Sequence, residues 1–278
     1  MCVHPQPWIR PAEVAVVAMD PAELDRRTFE DIGRVYTDWD DIYVPSVSTV
    51  LDELPTPTKV KRWKSNNDDW REQRAYKQSR GTLVHYYCLN PLAERELWSQ
   101  EEAESQEHLQ ATQERWDRFQ RDLAWVVGPD HEAVEDGVTV PNDGPPAWNL
   151  TRRLRGILEE NILGVEVYVI NREVGYAGQF DLLYVDRDGR TVLGDLKTSK
   201  GCWEKFPVQL SAYRHAVDVP IDRTEVLRMN PDFHQWEVHG DDSWIETDEQ
   251  LFERFADLRD RIDDAKITEL RERADRQR

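Results

Sequence analysis

Cysteine is scarce in this chain of 278 residues, and Cys2, Cys88 and Cys202 are odd in number and without CxxC spacing. That excludes a disulfide framework and any zinc or iron–sulfur site legible in the sequence. No apolar run approaches the roughly eighteen residues that a membrane-spanning helix needs, and MCVHPQPWIRP lacks the features of a secretory leader. A soluble, cytoplasmic protein with no membrane partner is expected. Lysine is also short, at eight of the 36 basic residues, against 55 acids and a formal net charge of −19. Bulk charge therefore excludes non-specific nucleic-acid binding, and any such contact must be local. An acidic, lysine-poor surface suits concentrated salt, where screening shortens the reach of each charge to a few ångströms. The expectation is the high-salt cytosol of a halophile or its virus.

What is present suffices for a core: 39% hydrophobic residues and eleven tryptophans, fitting one large domain or one domain with an extension. Residues 1–45 read as a Pro-punctuated N-terminal extension with a short helical pattern in PAELDRRTFEDIGRVY. Residues 46–149 read as a helical part. Within it Ser46 or Ser48 can cap a helix, Gly81 and Thr82 mark a helix start, and 91–127 carries Leu, Trp and Phe at helical spacing. Cys88, one turn after His85, reads as buried filler, and His131, Glu132 and Glu135 as a solvated acidic face. Residues 150–245 open on a short helix. Strands follow at about 164–170, 175–186, 191–198, 224–230 and 234–239, with a helix at about 203–218. Residues 246–278 read as a C-terminal helix whose stripe Leu251, Phe252, Phe255, Leu258 and Ile262 packs on the sheet. The order predicts a mixed α/β core preceded by helices.

One strand stands out. In TVLGDLKTS, Asp195 and Lys197 lie two residues apart and so share a face. Ionised groups on a half-buried strand are costly unless paired or bound. VDRDGRT centres a turn on Asp188-Gly189, and folding the chain there brings Asp181, an acid amid Phe180, Leu182 and Leu183, opposite the neighbourhood of Asp195. Two carboxylates and a lysine on adjacent strands suit a hard divalent cation such as Mg²⁺ or Mn²⁺, with Lys197 placed to position or help deprotonate a water. The alternative is a buried ion pair that pins the hairpin. A separate segment, TKVKRWKSNNDDWREQRAYKQSR, interleaves Lys59, Lys61, Arg62, Lys64, Arg71, Arg74, Lys77 and Arg80 with Trp63, Trp70 and Tyr76. This is the composition of a phosphate-tracking, base-stacking surface.

Gly178-x-x-Asp181, Asp195-Leu-Lys197 and Gln209-x-x-x-Tyr213 together resemble the PD-(D/E)XK nuclease superfamily, closest to its RecB-type exonuclease branch. That branch includes CRISPR-associated and mitochondrial genome-maintenance exonucleases. Upstream, PSVSTVLDEL, Trp63 and RGTLVH resemble it too, so the likeness runs over roughly 45–230. The resemblance implies a restriction-endonuclease-like fold and a Mg²⁺- or Mn²⁺-dependent nuclease, first choice an exonuclease on single-stranded or end-bearing DNA. It implies that Asp181, Asp195, His85 and the Leu196 carbonyl bind metal and that Lys197 is catalytic. Gln209 and Tyr213 would brace the site and touch the nucleic-acid backbone, and Glu166 would reach metal through water. Phe180 replaces the usual proline, and the four cluster cysteines of some relatives are missing, so no iron–sulfur cluster is expected. A non-catalytic module that grips DNA ends or a replication or repair partner is the competing class, and a small-phosphoester phosphatase the third.

Overall fold

The computed structural model describes residues 25–29, 33–37, 43–93, 161–229 and 236–263, with isolated positions as far as 272. The expectations for 94–160, including His131, Glu132 and Glu135, lie outside the described residues.

The described chain begins with strands where the sequence predicts a helix. Asp25–Phe29 (β1), Gly33–Thr37 (β2) and Tyr43–Pro45 (β3) form an antiparallel sheet in that order. Thr28, Phe29, Val35, Tyr36 and Thr37 supply the reason, since β-branched and aromatic side chains lose freedom in a helix and fit a pleated surface. Val35 and Tyr36 are both buried, so tertiary cover outweighs the apparent helical spacing. Ser46 then caps Val47–Leu51 (α1), its hydroxyl accepting from the Thr49 amide at 3.0 Å. Thr58–Ser65 (α2) and Trp70–Leu89 (α3) follow. α3 runs through Gly81 and Thr82, the expected start, because one interior glycine costs only about 1 kcal/mol.

The main sheet comprises Ile162–Asn171 (β4), Tyr176–Val185 (β5), Thr191–Lys197 (β6), Arg223–Met229 (β7) and Trp236–Gly240 (β8), in the order β4-β5-β6-β7-β8. Only β6 and β7 pair in parallel. A parallel pair needs a crossover, which Lys205–Arg214 (α4) supplies. The mixed α/β architecture predicted from the sequence is present, its strands and crossover helix differing only at their ends.

Asp248–Arg259 (α5) starts at a capping box between Thr247 and Gln250. The chain turns at 260–262, so the predicted C-terminal helix is interrupted there. Leu251, Phe255 and Leu258 are buried in the cluster formed by α1, α4 and the sheet, with Phe252 and Ile262 packed against it. The Phe255 ring meets that of Tyr176 edge-on at 4.7 Å. Close packing also explains Gly178: a Cβ there would stand 2.5 Å from Tyr213 Cε1 and 3.1 Å from Val47 Cγ2. The glycine lets α4 and α1 press onto β5 beside the acids. Cys88 is buried, as expected of filler. Among the described residues, no helix is long and apolar enough to cross a membrane.

Candidate metal centre

The β5–β6 turn sets the geometry. Asp186 donates its amide to Arg190 O at 2.9 Å. Its carboxylate accepts from the Asp188 and Arg190 amides at 2.9 and 3.0 Å and from Arg190 Nε at 2.8 Å. Gly189 takes the left-handed conformation that the turn requires, at φ 78°. The register that follows pairs Leu182 with Gly194 and Leu183 with Leu193; continued by one step it faces Asp181 with Asp195. The Leu196 amide donates to Asp181 Oδ2 at 2.6 Å, fixing that carboxylate at the strand end.

A third acid arrives by a break in the opposite ladder. Val165 pairs with Leu182 and Val167 with Phe180, but Glu166 between them has φ 50°, a strained conformation for a residue with a side chain. Gln179 Nε2 donates to the Glu166 carbonyl at 3.1 Å and holds the distortion. The register on either side sets Glu166 opposite Asp181, and its side chain is buried with Oε1 3.4 Å from His85 Nδ1. His85, from α3, places Nε2 3.1 Å from the Leu196 carbonyl and 3.9 Å from Asp181 Oδ2. One ligand atom each from His85, Glu166 and Asp181 lies within 4.8 Å of the others.

The sequence analysis groups His85, Asp181, Asp195 and the Leu196 carbonyl. The structure gathers His85, Asp181 and that carbonyl, but it is Glu166 that joins them. Asp195 stands beside the group, its Oδ2 2.5 Å from Lys197 Nζ. Glu166, in GVEVYVI, is implied by the family resemblance as an acid reaching metal through water; the structure sets its carboxylate within the cluster itself.

Electrostatics favour a cation here. Glu166, Asp181 and Asp195 are all buried. Burial, opposed by His85 and Lys197, raises the Asp181 carboxyl. Burial also pushes Asp195 up to about 6, against the pull of Lys197 and with repulsion from Asp181. For His85 burial acts downward, yet Asp181 and Glu166 outweigh it and hold the imidazole up to about 9. Burial likewise lowers Lys197, but Asp195 and Asp181 overcome it and keep the ammonium charged. The Phe206 ring, 5.3 Å from Nζ, adds a cation–π contact. A divalent ion bound here would displace the imidazole proton, after which three carboxylates and one ammonium leave two negative charges to match it.

The donor set fits such an ion. Lys197 partners Asp195 Oδ2, whereas the buried Asp195 Oδ1 has no donor among the described residues. Buried acceptors of this kind are costly without a partner. Two carboxylates, a carbonyl and one imidazole are divalent-cation ligands, the oxygens suiting Mg²⁺ or Mn²⁺ and the imidazole zinc, iron or nickel.

The remaining predicted residues divide. Gln209 and Tyr213 share a face of α4, with Nε2 3.4 Å from the hydroxyl; Tyr213 is buried against Gly178. Lys59, Lys61, Arg62, Arg71, Arg74 and Lys77 are exposed on α2 and α3, with Lys64 half-buried. Arg80 lies on α3. Tyr76 is buried. The two tryptophans of this segment are engaged within it: Lys64 Nζ and Arg71 Cζ each lie 4.7 Å from the Trp70 ring, and Lys77 Nζ lies 4.6 Å from that of Trp63.

No family model matches the chain, and no curated protein matches it. Among solved structures it is similar to the crystal structure of SSO0001, at 16% identity and a TM-score of 0.27, over 40% of this chain and 54% of that one. A likeness of that extent shows neither a family nor a function.

Proposed function

We propose that this protein is a divalent-metal-dependent nuclease with a restriction-endonuclease-like core, acting on single-stranded or end-bearing DNA. The observation that carries the reading is the convergence of His85, Glu166 and Asp181 beside a charged Lys197 at the end of β6. His85, Glu166, Asp181 and the Leu196 carbonyl would hold Mg²⁺ or Mn²⁺. Such an ion would polarise a phosphate oxygen and acidify a water.

The chain's own groups supply the rest. Lys197, kept protonated by Asp195 and Asp181, is better suited to donate hydrogen bonds to a phosphate oxygen or the attacking water than to remove a proton. Those bonds stabilise charge as it builds on the phosphorus centre. Asp195 and the Phe206 ring hold the ammonium in place. Tyr213, seated on Gly178, braces the strand that bears Asp181. The basic face of α2 and α3 meets the phosphate backbone.

The test is cleavage of 5′- and 3′-labelled single-stranded and duplex DNA with Mg²⁺, Mn²⁺ or EDTA, by wild type and Lys197→Ala. Metal-dependent cleavage that falls by about 10²–10³ in Lys197→Ala is expected. Equal, metal-independent behaviour of the two proteins would instead indicate a non-catalytic DNA-binding module. Hydrolysis of nitrophenyl phosphate with indifference to DNA would indicate a phosphatase.

A further inference from the structure

The nuclease reading leaves one question open at the same site: what distinguishes an unpaired strand from a duplex. Base stacking by Trp63 and Trp70 is the sequence-based answer, but cations of their own segment already lie against both rings.

Among the described residues, the exposed large hydrophobic side chains are Trp203 and Ile245, and Trp203 is 38% exposed. It lies in the segment joining β6 to α4, between Lys197 and Lys205. Its carbonyl accepts from the Phe206 amide at 2.9 Å, which ties its backbone to the first turn of α4. Phe206 is the residue whose ring lies 5.3 Å from Lys197 Nζ. The indole is thus anchored about one helical turn from the ring that holds the catalytic ammonium, and no ring or cation contact to it is seen among the described residues.

One cation stands beside it in sequence: Lys205, exposed on the first turn of α4. Arg74, Gln78, Gly81 and His85 follow one stripe of α3 at spacings of four, three and four. At Gly81 that stripe approaches β6 closely enough for a Cβ to touch Thr198 Oγ1 at 3.5 Å. The segment after Lys197 thus carries an exposed indole and an exposed lysine, and at Thr198 it meets the α3 stripe that bears Arg74 and His85.

We propose that Trp203 stacks on an unpaired nucleobase next to the scissile phosphate, with Lys205 and Arg74 taking the neighbouring phosphates. Single-stranded nucleic acid is then the substrate class, since a paired base keeps its faces within the duplex. This rests on the nuclease reading and extends it.

The experiment measures binding of a labelled oligothymidylate by anisotropy in EDTA, and KM for its cleavage in Mn²⁺, for wild type, Trp203→Ala, Trp203→Phe and Lys205→Ala. Trp203→Ala is expected to weaken Kd and raise KM by about 5- to 150-fold, the range that base–aromatic stacking covers, and Trp203→Phe to retain most of the affinity. An abasic nucleotide at the stacked position should penalise wild type and leave Trp203→Ala indifferent. Lys205→Ala should reduce the slope of log affinity against log salt by about 0.7. Unchanged Kd and KM in Trp203→Ala, or abasic and alanine penalties that simply add, would overturn the inference while leaving a cleaving wild type as evidence for the nuclease. A folded wild type that neither binds nor cleaves any nucleic acid would remove both.

Discussion

Glu166 joins an unusual backbone angle to a place in the cluster: the pairs Val165–Leu182 and Val167–Phe180 set it opposite Asp181, and at φ 50° its carboxylate stands beside His85. Conformations of this kind cost of order 1–3 kcal/mol and persist only when their surroundings hold them. Gln179 is the visible holder, through its bond to the Glu166 carbonyl. Gln179→Ala is therefore expected to weaken Mn²⁺ affinity by about 10-fold or more, as loss of a support behind a ligand does, while the protein still unfolds cooperatively. Calorimetric titration checks this, and an unchanged affinity would show that the distortion stands without the side chain. Lys197, Asp181 and Asp195 were legible in the sequence because charged residues in apolar strands are anomalies that need a cause. Glu166 is the same anomaly, but that it faces Asp181 follows from the β4–β5 register, which no local pattern announces.

Among the elements, the β5–β6 hairpin was the most legible, since Asp188-Gly189 fixes the turn and the turn fixes which acids meet. Asp186 ties that turn together. Partial burial works against its charge, but hydrogen bonds from the Arg190 backbone and side chain and from the Asp188 amide outweigh this and hold the carboxyl below the usual range. A carboxyl depressed on folding contributes stability above its unfolded pKa of about 3.9, and that contribution is lost as pH falls through the folded value. Asp186→Asn should cost about 0.5–1 kcal/mol at pH 7, a modest figure because Arg190 is exposed. The deficit relative to wild type should shrink below about pH 4. Urea unfolding across pH reads this directly, and a deficit independent of pH would rule out the carboxylate as its source. α3 begins at Trp70 and not at the expected start, Gly81-Thr82, because glycine marks a helix boundary only on average and the residues on either side carry this helix across it. The β1–β2 hairpin was misjudged because charged residues at helical spacing in DRRTFEDIGRVY mask two short β-prone runs, and burial at Val35 and Tyr36 decides between them.

For the whole molecule, the alternation of strand, strand, strand, helix, strand and strand was readable because apolar runs and turn signals are local. The three-stranded N-terminal sheet was not, since its cover comes from elsewhere in the chain: Tyr36 packs edge-on to Tyr168 at 5.8 Å. Net charge also acts at this scale. At −19, self-repulsion is felt over about 10 Å in 0.1 M salt and about 3 Å in 1 M. Thermal unfolding should therefore shift upward from dilute buffer to multimolar KCl, and DNA cleavage should be lost at low salt. A Tm that falls or stays constant as KCl rises would dissociate the acidic composition from salt adaptation. The proposed cation site is the cluster of His85, Glu166 and Asp181 at the end of β6. Its most direct test is calorimetric titration of the folded protein with Mn²⁺, comparing wild type with Asp181→Asn and His85→Ala. Binding by wild type that weakens at least about 10-fold in each variant is predicted; no binding of Mn²⁺ or Mg²⁺ by wild type, or equal binding by all three proteins, would contradict it.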